Sequence, residues 1–338
     1  MDKAINNNSK WLSKLNDNPI PWLLSSNPWT RYRTYIDLLE LPPTDSEVLK
    51  AKTELINHPH IQSLLTEAGE WFSKSITRHN DPKICFYKLR MLVDFGLDRN
   101  DSGINTLIAN ATSHLVDEMY ATRQTLPKPG LGLIMPDVNA NEWHALPCDT
   151  PLITYALLKM GIKDSQMNRV INLISNKWNT RQGWFCHFFF VEKQHQKLQI
   201  GCPMAGLMAL EVFSSIPELK ESASAKNAYE TLKFHYECGQ SVYFFGRSKK
   251  FWTLKYPFVW YNALYLAEVL TRFEFLKYEP LVKELINWIE ESQDELGRWK
   301  ATSMFMEYKN WDFADKKVPS PWITLLCCRI LKRWYEIN

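Results

Sequence analysis

The chain has 338 residues, of which 45% are hydrophobic and 13% aromatic, and its 14 Trp outnumber its 12 Gly. This composition favours a helical protein rich in aromatic side chains over a β-sheet protein. Forty basic and 37 acidic residues give a net charge of +3, which is too balanced to indicate a nucleic-acid-binding protein.

Targeting and membrane signals are missing from the sequence pattern. Residues 1–8 have no apolar core of the kind found in a signal peptide. No apolar run approaches the ~20 residues that a membrane span needs. The seven cysteines are odd in number and fall in predicted helices or beside Trp and Pro, unlike a disulfide framework. We therefore predict a reduced, cytoplasmic protein without a membrane span.

Six segments begin in the same way, with a residue followed by proline and then by a mostly apolar run. Proline is tolerated at the first helical position, because the N–H that it lacks would have no partner there. The pattern predicts six buried helices. They begin at Asn27-Pro28, Asp81-Pro82, Thr150-Pro151, Cys202-Pro203, Tyr256-Pro257 and Ser320-Pro321.

An amphipathic helix is expected after each of the first five buried helices. In the clearest case Val282, Leu285 and Ile289 keep the spacing of one helical face. The segment 7–15 is expected to supply a sixth amphipathic helix. The five others are predicted at residues 46–57, 104–119, 167–177, 223–236 and 280–292.

A layer of apolar helices inside a layer of amphipathic ones is the arrangement of an α/α toroid. We therefore predict an all-α fold, an (α/α)6 toroid of helical hairpins, as a single domain over residues 1–338. An open solenoid of helix pairs is the alternative. The long loops all precede buried helices, so in a toroid they would share one end, where binding sites are common.

A spaced motif follows two of the amphipathic helices. Gln293, Gly297 and Trp299 form a Gln-x-x-x-Gly-x-Trp sequence, and Trp178-x-x-x-x-Gly183-Trp184 repeats it loosely. The motif resembles the repeat of the terpenoid cyclase and protein prenyltransferase superfamily. In that repeat Gly permits the turn after the helix and Trp stacks back over the helix end. The resemblance implies a toroid with a central cavity for a hydrophobic substrate such as an isoprenoid.

The start of the third buried helix, Cys148-Asp149-Thr150-Pro151, bears on the same resemblance. Class II terpene cyclases carry Asp-x-Asp-Asp-Thr-Ala at such a start, and the middle Asp is the proton donor. Here Cys148 takes the donor position, and a thiol is too weak an acid to protonate an alkene. The resemblance therefore implies that Cys148 and Asp149 bind a metal, catalyse a different reaction or are inactive. Thr150 is expected to cap the helix through its hydroxyl.

Cysteines near the predicted helix starts form a candidate zinc site. Cys148 and Cys202 precede buried helices, and Cys186-His187 follows the second Gly-Trp turn. Catalytic zinc takes three protein ligands of this kind and keeps one position open. The alternative is that these cysteines are only small buried hydrophobes.

Aromatic residues gather in the loops that precede the buried helices. Their ring faces would line a cavity for a hydrophobic or cationic ligand, or they would only fill the core. Asp312, in the last long loop, is a candidate acid or base, with tethering of that loop as the alternative. The predicted substrate-binding residues are Trp143, Trp184, Trp260, Tyr261, Trp311 and Trp322, with Tyr87 and Arg90 on the second buried helix.

Taken together, these features predict an enzyme that acts on a hydrophobic small molecule, in the manner of a cyclase or prenyltransferase. One alternative is a toroid without catalytic activity that binds a lipid or a protein partner through its loops. The other is zinc-dependent thiol chemistry at the mouth of the cavity.

Overall fold

The computed structural model describes residues 9–71, 80–116, 118–123, 144–145, 148–185, 197–238 and 245–336. These segments are mostly helical, as the all-α prediction requires. None of their helices is both long and apolar enough to cross a membrane. The chain divides into two compact units: unit 1 comprises Met1–Gln62 and Lys249–Asn338, and unit 2 comprises Ser63–Ser248. A single domain over the whole chain stays a prediction from the sequence.

Helices account for nearly all of the regular structure. A π-helical turn (Thr34–Leu38) continues α2, and 3₁₀ turns cover Leu12–Lys14, Glu274–Leu276, Met306–Tyr308 and Asp312–Ala314. The α-helices in chain order are α1 (Ile20–Leu24), α2 (Pro28–Arg33), α3 (Ser46–Asn57), α4 (Pro59–Gly69), α5 (Cys85–Phe95), α6 (Ile104–Ser113), α7 (Asp149–Lys159), α8 (Ser165–Lys177), α9 (Pro203–Ser214), α10 (Pro217–Lys220), α11 (Ala223–Cys238), α12 (Ala263–Leu270), α13 (Pro280–Glu291) and α14 (Pro321–Glu336).

In unit 1 the helices α12 and α14 form the core with α2. Helix α14 packs against α2, α12 and α13, and all eight residues of α12 are buried. Helices α3 and α13 cover α2 and α12 and bury one face each. On α13 that face includes Val282, Leu285 and Ile289, as the spacing of these residues predicts.

In unit 2 the buried helices are α5, α7 and α9. Helix α7 packs between α5 and α9, and every residue of α5 is buried. Helix α11 covers α9, and α8 covers α7, each with one apolar face inward. The predicted alternation of buried and amphipathic helices is therefore present within each unit.

A small antiparallel sheet replaces the end of one predicted helix. Helix α6 stops at Ser113, and the chain continues as strands β1 (Leu115–Val116), β2 (Met119–Arg123) and β3 (His144–Ala145), in the order β1–β2–β3. The predicted helix over 104–119 is therefore too long. The N–H of Ala121 donates to the carbonyl of His114 (2.7 Å), which turns the chain back on itself.

Three of the six predicted helix starts lie at the proline. Helices α2, α9 and α14 begin at Pro28, Pro203 and Pro321. Helix α5 begins at Cys85, three residues after Pro82. After the cis Tyr256-Pro257 peptide bond, helix α12 begins only at Ala263. Its N-cap is Asn262, whose Oδ1 accepts from the N–H of Tyr265 (2.9 Å).

The expectation that Thr150 caps the third buried helix is wrong. Helix α7 begins at Asp149 with Cys148 as its N-cap residue. The hydroxyl of Thr150 instead accepts from the backbone N–H of Tyr120 in β2 (3.2 Å). The hydroxyl of Thr150 thus binds the sheet and does not cap the first turn of α7.

The motif of Gln293, Gly297 and Trp299 contacts the chain near its start, at Asn16 and Asp17. The indole of Trp299 donates to the carbonyl of Ile289 (2.7 Å), so the ring packs back over the end of α13. Gly297 has a φ of 64°, and a Cβ there would lie 2.2 Å from the carbonyl oxygen of Asp17. The side chain of Gln293 accepts from the N–H of Asn16 (2.8 Å). Residues 9–15 contain one 3₁₀ turn, at Leu12–Lys14, in place of the helix predicted over 7–15.

Candidate functional site

The starts of α2, α4 and α14 meet around a group of rings in unit 1. The ring of Trp311 stacks on His60 (4.8 Å between centroids) and on Phe313 (5.3 Å), and it lies 5.1 Å from Trp29. Tyr256 joins Phe313 (4.9 Å) to Trp322 (5.5 Å). We define the aromatic cluster as Trp29, His58, His60, Tyr256, Trp311, Phe313 and Trp322.

The local sequence explains why these rings converge. Trp29 and Trp322 directly follow Pro28 and Pro321, the first residues of α2 and α14, so each ring lies at a helix entrance. Both rings are buried, as are Tyr256 and Phe313. The side chains of Trp311, His58 and His60 are only partly buried. The cluster thus presents a partly exposed face over a buried aromatic floor.

Asp312 places a carboxylate under these rings. Its Oδ2 accepts from the hydroxyl of Ser320 and from the N–H of Trp322, both at 3.0 Å. Ser320 in turn caps α14 by accepting from the N–H of Ile323 (3.1 Å). Burial raises the pKa of Asp312, and the hydrogen bonds from the Trp322 N–H and the Ser320 hydroxyl oppose part of that rise. This geometry is that of a loop tether, and a role of Asp312 as acid or base stays a prediction.

Two histidines that sequence analysis missed belong to the cluster. Nδ1 of His58 accepts from the N–H of His60 (3.2 Å), so the neutral imidazole of His58 carries its proton on Nε2. Burial, and then the neighbouring His60, lower the pKa of His58. The signal in the sequence was His58-Pro59, which repeats the residue–proline start of the six predicted helices.

Two of the predicted substrate-binding residues, Trp260 and Tyr261, lie in the loop before α12. The rings of Trp260 and Tyr261 contact each other (4.8 Å between centroids), and Tyr261 also approaches Phe251 (6.4 Å). Tyr261 is buried and Trp260 is partly exposed. Substrate binding by this pair stays a prediction.

In unit 2 the structure keeps Cys148 and Asp149 together. Sγ of Cys148 lies 3.7 Å from Oδ1 of Asp149, and the Asp149 side chain is buried in the first turn of α7. A negative charge is favoured there, because the helix N-terminus is the positive end of its dipole. The helix dipole accounts for an acidic residue at position 149, and a catalytic role of Cys148 and Asp149 stays a prediction.

The predicted zinc ligands are only partly described. Cys202 is the buried N-cap of α9, and its N–H donates to the carbonyl of Trp184 (2.7 Å), whose ring is also buried. Cys186, His187 and the predicted aromatic residue Trp143 lie outside the described residues. Among the residues that are described, no group of three or more His, Cys, Asp or Glu side chains is arranged to hold a metal ion. Zinc binding stays a prediction that depends on Cys186 and His187.

Arg90 lies on the buried helix α5, where the sequence placed it. Its guanidinium donates to both carboxylate oxygens of Glu211 at 2.6 Å and to Asp94 at 3.3 Å, and it lies over the ring of Tyr155. Tyr87 is buried against Phe86. The protein's own carboxylates therefore engage Arg90, and substrate binding by Arg90 and Tyr87 stays a prediction.

No family model, curated protein or solved structure matches the chain. The interpretation of the site therefore depends on its own geometry. The aromatic cluster combines partly exposed ring faces with a buried acid, and such faces bind apolar or cationic groups.

Proposed function

We propose that the chain is an (α/α)6 toroid similar to terpenoid cyclases and protein prenyltransferases, and that it binds a hydrophobic ligand of isoprenoid type at the aromatic cluster. The six residue–proline segments and the alternation of buried and amphipathic helices within each unit support the toroid. The local role of Trp299 at the end of α13 supports the resemblance to that superfamily.

The aromatic cluster is the observation that carries the proposed binding activity. Trp311, His58 and His60 keep part of their surface exposed, while Trp29 and Trp322 behind them are buried. An apolar ligand that covers such rings gains about 25 cal/mol for each Å² of apolar surface removed from water. The buried floor keeps the exposed rings in place before the ligand arrives, which reduces the entropy lost on binding.

The surroundings of Asp312 favour a binding role over acid catalysis at this position. Its Oδ2 already accepts hydrogen bonds from the Ser320 hydroxyl and from the backbone N–H of Trp322. This oxygen therefore binds the start of α14. A catalytic acid has to reach its substrate within hydrogen-bond distance. We therefore assign Asp312 to the support of the cluster.

Titration of the purified chain with farnesol, an uncharged isoprenoid, tests the proposal through tryptophan fluorescence. We expect saturable binding that is weakened about tenfold or more by Trp311→Ala, since truncation of a central Trp in an interface costs more than ~1.4 kcal/mol. Tyr278→Ala is the matched control, because Tyr278 is 88% exposed and lies outside the cluster. Absence of binding, or equal binding by the Trp311 variant, would contradict the proposal.

A further inference from the structure

Helices α12 and α14 of unit 1 begin at the same end. The ring of Tyr256, which precedes α12, lies 5.5 Å from the ring of Trp322 in the first turn of α14. At the other end Glu268 in the last turn of α12 pairs with Arg333 in the last turn of α14 (2.6 Å). The two helices therefore run parallel, and the loops that precede them lie together at the end that contains the aromatic cluster.

These two loops, residues 249–262 and 300–320, contact each other directly. The N–H of Leu254 donates to Oγ1 of Thr302 (2.9 Å), and the N–H of Thr302 donates to the carbonyl of Leu254 (3.0 Å). The second segment also carries Trp311, a partly exposed residue of the aromatic cluster. We call the two segments together the loop face. It is continuous with the aromatic cluster.

The loop face is basic. Seven lysines against three acids give it a net charge of +4, whereas the whole chain has a net charge of +3. The N-termini of α12 and α14 add partial positive charge at the same end. Six of the lysines are exposed, and five of these six, all except Lys250, form no ion pair with a described residue. An anionic partner therefore complements the loop face. The six exposed lysines are Lys249, Lys250, Lys300, Lys309, Lys316 and Lys317.

Apolar side chains are exposed among these lysines. Met306 is 68% exposed and Val318 is 54% exposed, and both belong to the loop before α14. Phe305 and Trp311 in the same loop are partly exposed. Exposed apolar side chains bordered by basic ones are typical of surfaces that lie at the interface of a membrane.

The type of cation favours a lipid surface over an acidic protein. The loop face has seven lysines and no arginine. Protein interfaces are enriched in arginine and depleted in lysine, because a guanidinium pairs with a carboxylate in a fixed geometry. Lysine ammonium groups that are spread over a surface are instead attracted to the diffuse negative charge of an anionic leaflet.

We propose that the loop face docks on the surface of a membrane that contains anionic phospholipids, with Met306 and Val318 in contact with the lipid. In that position Trp311 and the rest of the aromatic cluster lie next to the bilayer. A ligand of isoprenoid type, which dissolves in lipid, then reaches the cluster without passing through water, and this last step rests on the proposed function. The docking itself uses only the exposed side chains of the loop face.

Cosedimentation of the full chain with lipid vesicles tests the docking. Vesicles of phosphatidylcholine and phosphatidylserine in equal amounts provide the anionic surface, and vesicles of pure phosphatidylcholine provide the neutral one. We expect at least about tenfold tighter binding to the anionic vesicles, because each basic side chain near such a surface contributes about fivefold in affinity. Added salt should weaken the binding, since it screens exposed charges. Equal binding to both kinds of vesicle, or none to either, would overturn the proposal.

Two variants and a matched control locate the contact. Lys316→Gln combined with Lys317→Gln should weaken binding to the anionic vesicles by about tenfold or more. Met306→Ser keeps the charge and should weaken binding by about threefold or more, because an apolar contact is lost. Lys50→Gln combined with Lys283→Gln removes the same charge from exposed positions of α3 and α13, and it should change binding by less than about threefold. Equal losses in the two double variants, or unchanged binding by Met306→Ser, would contradict docking through the loop face.

Soluble polyglutamate and farnesol separate the inference from its alternatives. If polyglutamate binds as tightly as the anionic vesicles, with the same dependence on Lys316 and Lys317, the partner is an acidic protein and the membrane is wrong. If farnesol binds but the anionic vesicles do not, the docking is wrong and the proposed ligand site stands. If the anionic vesicles bind through the loop face but farnesol does not bind, the proposed function is wrong and the docking surface stands.

Discussion

Unit 1 contains two acids with buried carboxylates, and their surroundings shift the pKa in opposite directions. Burial alone would raise the pKa of Glu268 in α12, but the positive charges of Arg329, Arg333 and Arg272 hold it well below its usual range. Asp312 before α14 receives hydrogen bonds but no ion pair from the described residues, and burial raises its pKa. Neighbouring cations thus favour the charged form of a buried acid, whereas burial by itself disfavours it.

The positions of the two acids explain this difference. Arg272 lies two residues after the end of α12, and Arg333 lies in the last turn of α14, where cations interact favourably with the helix dipole. Asp312 lies at the opposite end of α14, among rings. The arginine end pairs a buried carboxylate with cations, whereas the aromatic end combines an acid of raised pKa with partly exposed rings.

The largest effect is expected at the arginine end. Glu268→Gln removes the buried carboxylate charge that pairs with Arg272, Arg329 and Arg333, so it should lower the free energy of unfolding by about 3–5 kcal/mol. Urea unfolding measures the loss. The control is Glu274→Gln at an exposed position, which should stay within about 0.5 kcal/mol of the wild type. Equal stabilities for the two variants would show that the arginine network contributes little.

At the aromatic end the hydrogen bonds matter more than the charge. Asp312→Ala removes the acceptor of Ser320 and of the Trp322 N–H, and we expect a loss of about 1–2 kcal/mol. Asp312→Asn keeps an oxygen acceptor and loses the buried charge, so its loss should be smaller. Thermal unfolding at neutral pH compares the two variants. A larger loss for Asn than for Ala would contradict the assignment of Asp312 as a cap.

The pH dependence of stability should separate the two acids. Glu268 has a folded pKa below its unfolded value of ~4.3, so its stabilisation is present above that pH and is lost as the pH falls through the folded pKa. Asp312 has a folded pKa above its unfolded value of ~3.9, so its contribution falls as the pH rises through that window.

Urea midpoints measured across this range test both signs with the amide variants. Relative to the wild type, Asp312→Asn should gain stability as the pH rises above about 4, and Glu268→Gln should lose less as the pH falls below about 4. Parallel pH profiles for both variants and the wild type would contradict this distinction.

The smallest effect is expected at His58. Its folded pKa lies below its usual value of ~6.5, so stability should fall as the pH decreases from there through the folded pKa. His58→Asn retains a good N-cap residue and should remove that slope, at a cost below about 1 kcal/mol. NMR titration of the His58 ring checks the pKa directly. A pKa at or above the usual value would show that burial and the bond from the His60 N–H do not disfavour the protonated ring.

Periodicity and proline positions predict most helices, and the errors have physical causes. Helix α3 has the predicted bounds, since Asp45 caps it and its apolar face is regular. The start of α12 was placed too early because the apolar run after Pro257 reads equally well as a buried helix or a buried extended segment. Asn262, a good N-cap residue, marks the true start.

Sequence analysis predicted only some of the residues of the aromatic cluster. Trp311, Trp322 and Asp312 were singled out because they lie just before a predicted helix. His58 and His60 were missed because they join the cluster through contacts with Trp29 and Trp311, which are distant in the chain. Contacts of that kind follow from tertiary packing, and the local pattern His58-Pro59 marks only the start of α4.

The division of unit 1 into Met1–Gln62 and Lys249–Asn338 has a consequence for biosynthesis. Unit 2 is continuous, so a ribosome delivers all of it before the second part of unit 1 emerges. At roughly 5–20 residues per second, the first part waits tens of seconds for α12 and α14. During that time α2, which contains the buried Trp29, lacks α14, against which it packs in the folded protein. We therefore expect the nascent chain to engage chaperones through its first part until translation has passed α14.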